Sequence, residues 1–61
     1  MDERAVKAAL AMGNLYYDRG DYDNAIAEFE KCLRADPASP RLLNRIQAAR
    51  RAKAAEERLR Q

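Results

Sequence analysis

Few side chains in this 61-residue chain could carry out covalent or acid–base chemistry. Cys32 is the single cysteine, and there is no histidine. A cysteine nucleophile needs a base to draw off its proton, and no imidazole exists to serve. One thiol also excludes an internal disulfide. The other arrangement worth testing is acidic: Asp18, Asp21, Asp23 and Glu28 fall close together. A calcium loop requires alternating oxygen ligands with a glycine at its sharp turn, and these four lack that spacing and ligand number. Helix capping and solvation account for them better. Cys32 stands at helical spacing from Ala25 and Phe29, which makes it a small apolar core residue. No catalytic, cofactor-binding or metal-ligating residue is assigned, and an enzyme is not expected.

The charge that remains is unevenly placed. Residues 1–39 carry five Lys/Arg and eight Asp/Glu, net −3, whereas residues 40–61 carry seven Lys/Arg and two Glu, net +5. Such opposed halves favour association within or between chains. A basic tail could instead bind nucleic acid. Arg41, Arg45, Arg50, Arg51, Lys53, Arg58 and Arg60, however, spread around a helix without interleaved aromatics, and a nucleic-acid face clusters its cations. Membrane binding is excluded more firmly, because the tail lacks bulky apolar residues and no apolar run is long enough to span a bilayer. The charged start, Met1-Asp2-Glu3-Arg4, does not read as a signal peptide. With a lone cysteine, this favours a reducing, cytoplasmic setting.

The elements that hold these residues are helical. Residues 4–19 contain no proline and are rich in Ala, Leu and Met, which favour helix. Gly20-Asp21 interrupts them, and Asp21 or Asp23 can cap the next helix. Ala25, Ile26, Phe29, Cys32 and Leu33 recur at helical spacing through residues 22–35. Asp36-Pro37 ends that run, since the residue before proline is pushed out of the helical region. Ser39-Pro40 then starts a third helix over 40–60. Leu42, Leu43, Ile46 and Ala49 give this helix a short apolar stripe that Lys53 ends. Residues 40–50 are expected to dock on the hairpin, and Arg51 to Arg60 to project into solvent or onto a partner.

Ala9, Met12, Gly13, Tyr16, Gly20-Asp21-Tyr22, Ala25, Phe29, Cys32 and Pro37 together resemble one tetratricopeptide (TPR) repeat, W-x2-L-G-x2-Y, then A-x3-F, then P. The resemblance spans about residues 6 to 39. Ala9 departs from the usual large aromatic, Met12 from Leu and Cys32 from Ala. It implies an all-α fold: a helix-turn-helix hairpin followed by a long third helix of the solvating, capping kind. Gln47 and Arg50 replace the small residue and tyrosine that a second repeat would show. The eight motif positions, Ala9, Met12, Gly13, Tyr16, Ala25, Phe29, Cys32 and Pro37, are assigned to packing of the repeat.

By the same resemblance, first helices line a concave groove for a protein or peptide. Lys7, Leu10, Asn14 and Tyr17 map to that face, continued by Arg41, Asn44, Arg45 and Ala48 on the third helix. Asn14, Arg41 and Arg45 match slots where some members bind a terminal carboxylate, but Leu10 replaces the lysine expected there. Between Ala8 and Tyr17 only Gly13 and Asn14 are not apolar, so the first helix needs neighbours on several faces. At least three repeats are usually required for stability. The expected function is therefore non-catalytic protein–protein interaction through a homo-oligomer that covers the first helix. The alternatives are a nucleic-acid adaptor, a carboxylate-binding TPR piece, or a monomer exposing Leu10 and Tyr17. The chain reads either as the C-terminal end of a larger array or as a sequence designed to study repeat assembly.

Overall fold

The computed structural model describes residues 2–60, which form three α-helices. Helix α1 is Glu3–Asp18, one residue ahead of its expected limits at each end. Asp2 caps it, its side chain accepting a hydrogen bond from the Arg4 backbone N–H at 3.1 Å. This satisfies one of the donors that the first turn leaves open. At the other end Gly20 adopts φ 78°, and the amides of Gly20 and Asp21 donate back to the carbonyls of Tyr17 and Tyr16. That is a left-handed glycine stop, and it reverses the chain within a few residues. Helix α2, Tyr22–Ala35, comes next. Asp21 occupies its cap position, but its carboxylate accepts from the Asn24 side-chain amide at 2.7 Å instead of from the backbone. Asp36 leaves the helical region at φ −139°, as its proline neighbour requires. Helix α3, Pro40–Arg60, begins with Ser39 Oγ accepting from Leu42 N–H at 3.4 Å.

Helix α2 lies between the other two and packs on both, while α1 and α3 scarcely meet. The molecule is a slab of 41 × 20 × 12 Å. Its thinnest dimension is close to one helix diameter, so α1, at the edge, has protein on one side only. The exposed area is 4503 Å², above the roughly 4,000 Å² expected for a compact monomer of this mass.

The core consists of Ala9, Ala25, Phe29, Cys32, Leu42 and Ile46, edged by half-buried Val6, Leu10, Tyr16, Tyr17, Ile26 and Leu33. Helices α1 and α2 come close at Gly13, where a Cβ would lie within 2.6 Å of the Phe29 ring. Glycine here lets α1 settle onto an aromatic that is itself fully buried.

Packing also departs from the sequence expectations. Met12 and Pro37 are exposed. Met12 lies about 100° round α1 from Gly13, off the seam that Ala9 and Gly13 occupy. Pro37 acts through its backbone, ending α2 from within the turn. Leu43 is 43% exposed. The α3 seam runs Leu42, Ile46, Ala49, Lys53, Glu56, and Leu43 sits about 100° round from it. The segment 51–60 does not simply project. Lys53 Nζ pairs with Asp23 Oδ1 at 2.6 Å, and Glu56 faces Gly20. The apolar seam becomes an ionic one and continues to the α1–α2 turn.

Candidate functional site

Two surfaces could receive another molecule, and they lie on different sides of α1. The first is the groove between α1 and α3, floored by α2. Leu10 and Arg41 line a notch there with Val6, Cys32, Asp36, Ser39 and Leu42. One turn further, the Arg45 guanidinium lies 5.9 Å from the centre of the Tyr17 ring, within cation–π range. Tyr17 is also held edge-on against Tyr22, with ring centres 5.5 Å apart. Leu10, Asn14 and Tyr17 are half-buried, and Asn14 Oδ1 is shut from solvent with no hydrogen-bond partner among the described residues.

Other groove residues predicted from sequence do not join this arrangement. Lys7 is turned to Glu3, 3.5 Å away on the same helix. Asn44 is exposed, further round α3 than Arg41 and Arg45. Val6 and Ser39 line the notch without having been predicted. Val6 was legible as the residue one turn before Leu10; Ser39 was read only as a cap.

The thiol that contributes to the floor is inert. Cys32 is 1% exposed, and its Sγ donates to the Val6 carbonyl at 3.5 Å. Burial, and secondarily the charge of Glu28, raise its pKa above the ordinary thiol value, so the neutral form persists at neutral pH. No group of three or more His, Cys, Asp or Glu placed to share a metal ion occurs among the described residues.

The second surface is the outward side of α1. Ala5, Ala8, Ala11, Met12 and Leu15 are all exposed there. Met12 and Leu15 retain 39% and 40% of their accessible area. Leu10 and Tyr17 belong instead to the groove and the core edge, so the uncovered face of α1 is not the one that the spacing first suggested.

The close Gly13–Phe29 contact, the fully buried Ala25 and the glycine turn between two antiparallel helices together make a helical-repeat hairpin. Residues 6–39 match the family model described as tetratricopeptide repeat. The chain belongs to the tetratricopeptide repeat family. Such repeats generally mediate protein–protein interaction. No curated protein and no solved structure matches the chain. No helix among the described residues is long and apolar enough to cross a membrane.

The α3 cations of this TPR chain are partly engaged already. Arg50 approaches Glu30 at 3.9 Å, Lys53 pairs with Asp23 and Arg60 with Glu56 at 2.8 Å. Asp23 raises the Lys53 pKa, first through their hydrogen bond and then through its charge. The Arg50 and Lys53 contacts tie the basic helix to the acidic hairpin within one chain, whereas the Arg60 pair lies within α3 itself.

Proposed function

We propose that this TPR chain is a non-catalytic interaction module that associates with a second copy of itself through the outward face of α1. The carrying observation is the exposure of Met12 and Leu15 beside three exposed alanines on an edge helix. Burying that stripe would yield about 25 cal/mol for each Å² of apolar area removed from water. A chain of this size has little stability of its own to set beside that gain.

Solution mass by light scattering across a range of protein concentration, with helicity followed in parallel, tests the proposal. A mass above one chain that falls on dilution is expected. Met12→Glu with Leu15→Glu should give a monomer of unchanged helicity. Both positions are solvent-facing, so the substitutions spare the core. A wild-type chain that stays monomeric at every concentration would overturn the reading.

A second reading concerns the groove. Arg41 has no acidic partner within 4 Å among the described residues, and Asn14 Oδ1 lacks a hydrogen bond. An acidic peptide lying between α1 and α3 would meet Arg41 and Arg45, both exposed. Titrating a peptide with a free terminal carboxylate into the wild type and into Arg41→Ala would separate this from self-association. Binding equal in both would sink it. A nucleic-acid role fits less well, because three of the seven α3 cations already face carboxylates.

A further inference from the structure

The outward stripe of α1 is ordered by size. Ala5 and Ala8 occupy its first half, Met12 and Leu15 its second, at successive steps of three, four and three residues. All four are exposed on one side of α1. Two such helices running parallel would set alanine against alanine and leave a gap, then crowd Met12 and Leu15 against their own copies. Running antiparallel, they set Ala5 against Leu15 and Ala8 against Met12, twice over. Large into small is the arrangement that fills an interface without voids.

The flanking charges agree with this register. Arg4 and Asp18 are exposed, lie on the same flank of α1 and have no ion-pair partner among the described residues. Antiparallel packing about a two-fold axis brings like flanks together. Arg4 of one chain then falls within about 3 Å, along the helix axis, of the level of Asp18 of the other, given a rise of about 1.5 Å per residue. The pair occurs twice in the dimer. The competing arrangement is head-to-tail, with α3 of one chain on α1 of the next. The outward side of α3 carries Arg51 and Arg58, both exposed, and would bury guanidinium groups against an uncharged stripe, which is costly.

We infer that two copies of the chain pair through α1 in antiparallel, two-fold fashion, with Ala5 and Ala8 of each receiving Leu15 and Met12 of the other and Arg4 facing Asp18. This rests on the self-association proposed above and adds its geometry. A two-fold contact uses the same patch on both chains and closes at two, whereas a head-to-tail contact propagates.

Charge exchange tests the geometry at low ionic strength, with association measured by sedimentation or light scattering. Arg4→Asp and Asp18→Arg should each weaken dimerisation about tenfold, since each turns two attractive pairs into repulsive ones. The double variant should return to within about threefold of the wild type. Within one helix the two residues are about 21 Å apart, too far to restore each other except across a dimer. Size exchange gives an independent reading: Ala5→Leu and Leu15→Ala should each weaken the dimer, and the two combined should recover it. A mass that grows beyond two chains, or single variants whose effects simply add, would overturn the antiparallel dimer while leaving self-association standing. A monomer under all conditions would remove both.

Discussion

The inward and outward sides of α1 lie about 100° apart around the helix, and they serve different ends. Inward, Gly13 is pressed so closely on Phe29 that no side chain fits between them. Outward, the neighbouring Met12 remains 39% exposed. Both are motif positions of one repeat. The motif therefore mixes residues that close the hairpin with residues that await a neighbour. A repeat reads as complete in sequence while remaining half-covered in space.

The sharpest way to break the inward side is Phe29→Ala. Truncating a buried phenylalanine costs about 3–5 kcal/mol, which is close to all that a core of this size supplies. Loss of the cooperative helical signal in circular dichroism at 25 °C is the expected result. A helical variant with a normal melting transition would mean that Phe29 is not the keystone of the hairpin.

Gly13→Ala sharpens the comparison more finely. The new methyl would lie 2.6 and 2.7 Å from ring carbons of a side chain with no room to retreat. Overpacking of this kind costs about 1–3 kcal/mol, while replacing glycine within a helix returns up to about 1 kcal/mol. A net loss of about 1 kcal/mol is expected in urea unfolding of the monomer. Met12→Ala, one residue away, should change monomer stability by less than about 0.5 kcal/mol. Equal effects at the two positions would erase the distinction between the faces. Gly20→Ala should cost about 1 kcal/mol, because alanine is strained at φ 78° although its methyl would meet only the Glu56 carboxylate, in ordinary contact at 3.9 Å.

These contrasts explain what was legible in the chain. The hairpin could be read because Gly13, Gly20, Ala25, Phe29 and Pro37 each answer a local requirement: close approach, turn or stop. Helical spacing also recovered Leu42, Ile46 and Ala49 as the face by which α3 docks. It failed at Leu43, because adjacent residues on a helix cannot both sit on a narrow seam. The open face of α1 was harder. Between Ala8 and Tyr17 that helix is apolar on several sides, so composition could not tell which of them α2 would take. Leu10 and Tyr17 were the larger candidates, but the Gly13–Phe29 contact orients α1 and turns Met12 and Leu15 outward. Lys53 was read as the end of a stripe because apolarity was the criterion. Its geometry continues the seam, and Asp23 on the other helix gives it a partner that one-dimensional spacing does not reveal.

Alkaline pH compares a buried group with an exposed one. Cys32 and Lys53 both have pKa values raised in the folded chain. A raised value means that the folded state holds its proton more tightly than the unfolded state does. The stability each contributes is complete below the group's ordinary value and declines as pH rises from there through the raised one. The ordinary thiol value is the lower of the two, so unfolding midpoints should begin to fall as pH passes the ordinary thiol range, and Cys32→Ala should flatten that first decline. A decline of the same size in the variant would place its origin elsewhere.

The smallest expected effect concerns the two halves of α3. Residues 42–49 are held by buried Leu42, Ile46 and Ala49. Beyond them the helix is tied down by Lys53–Asp23, aided by the longer Arg50–Glu30 contact, and both pairs are solvent-exposed. Salt screens exposed pairs but leaves apolar burial intact. Backbone amides in 51–60 should therefore exchange with solvent faster in high salt, while those in 42–49 hold their protection. Lys53→Ala should reproduce this at low salt, and added salt should then change little. If protection in 51–60 proved indifferent both to salt and to Lys53→Ala, the far half of α3 would owe its position to helix continuity from Ala49 onward, and the ion pairs would be passengers on it.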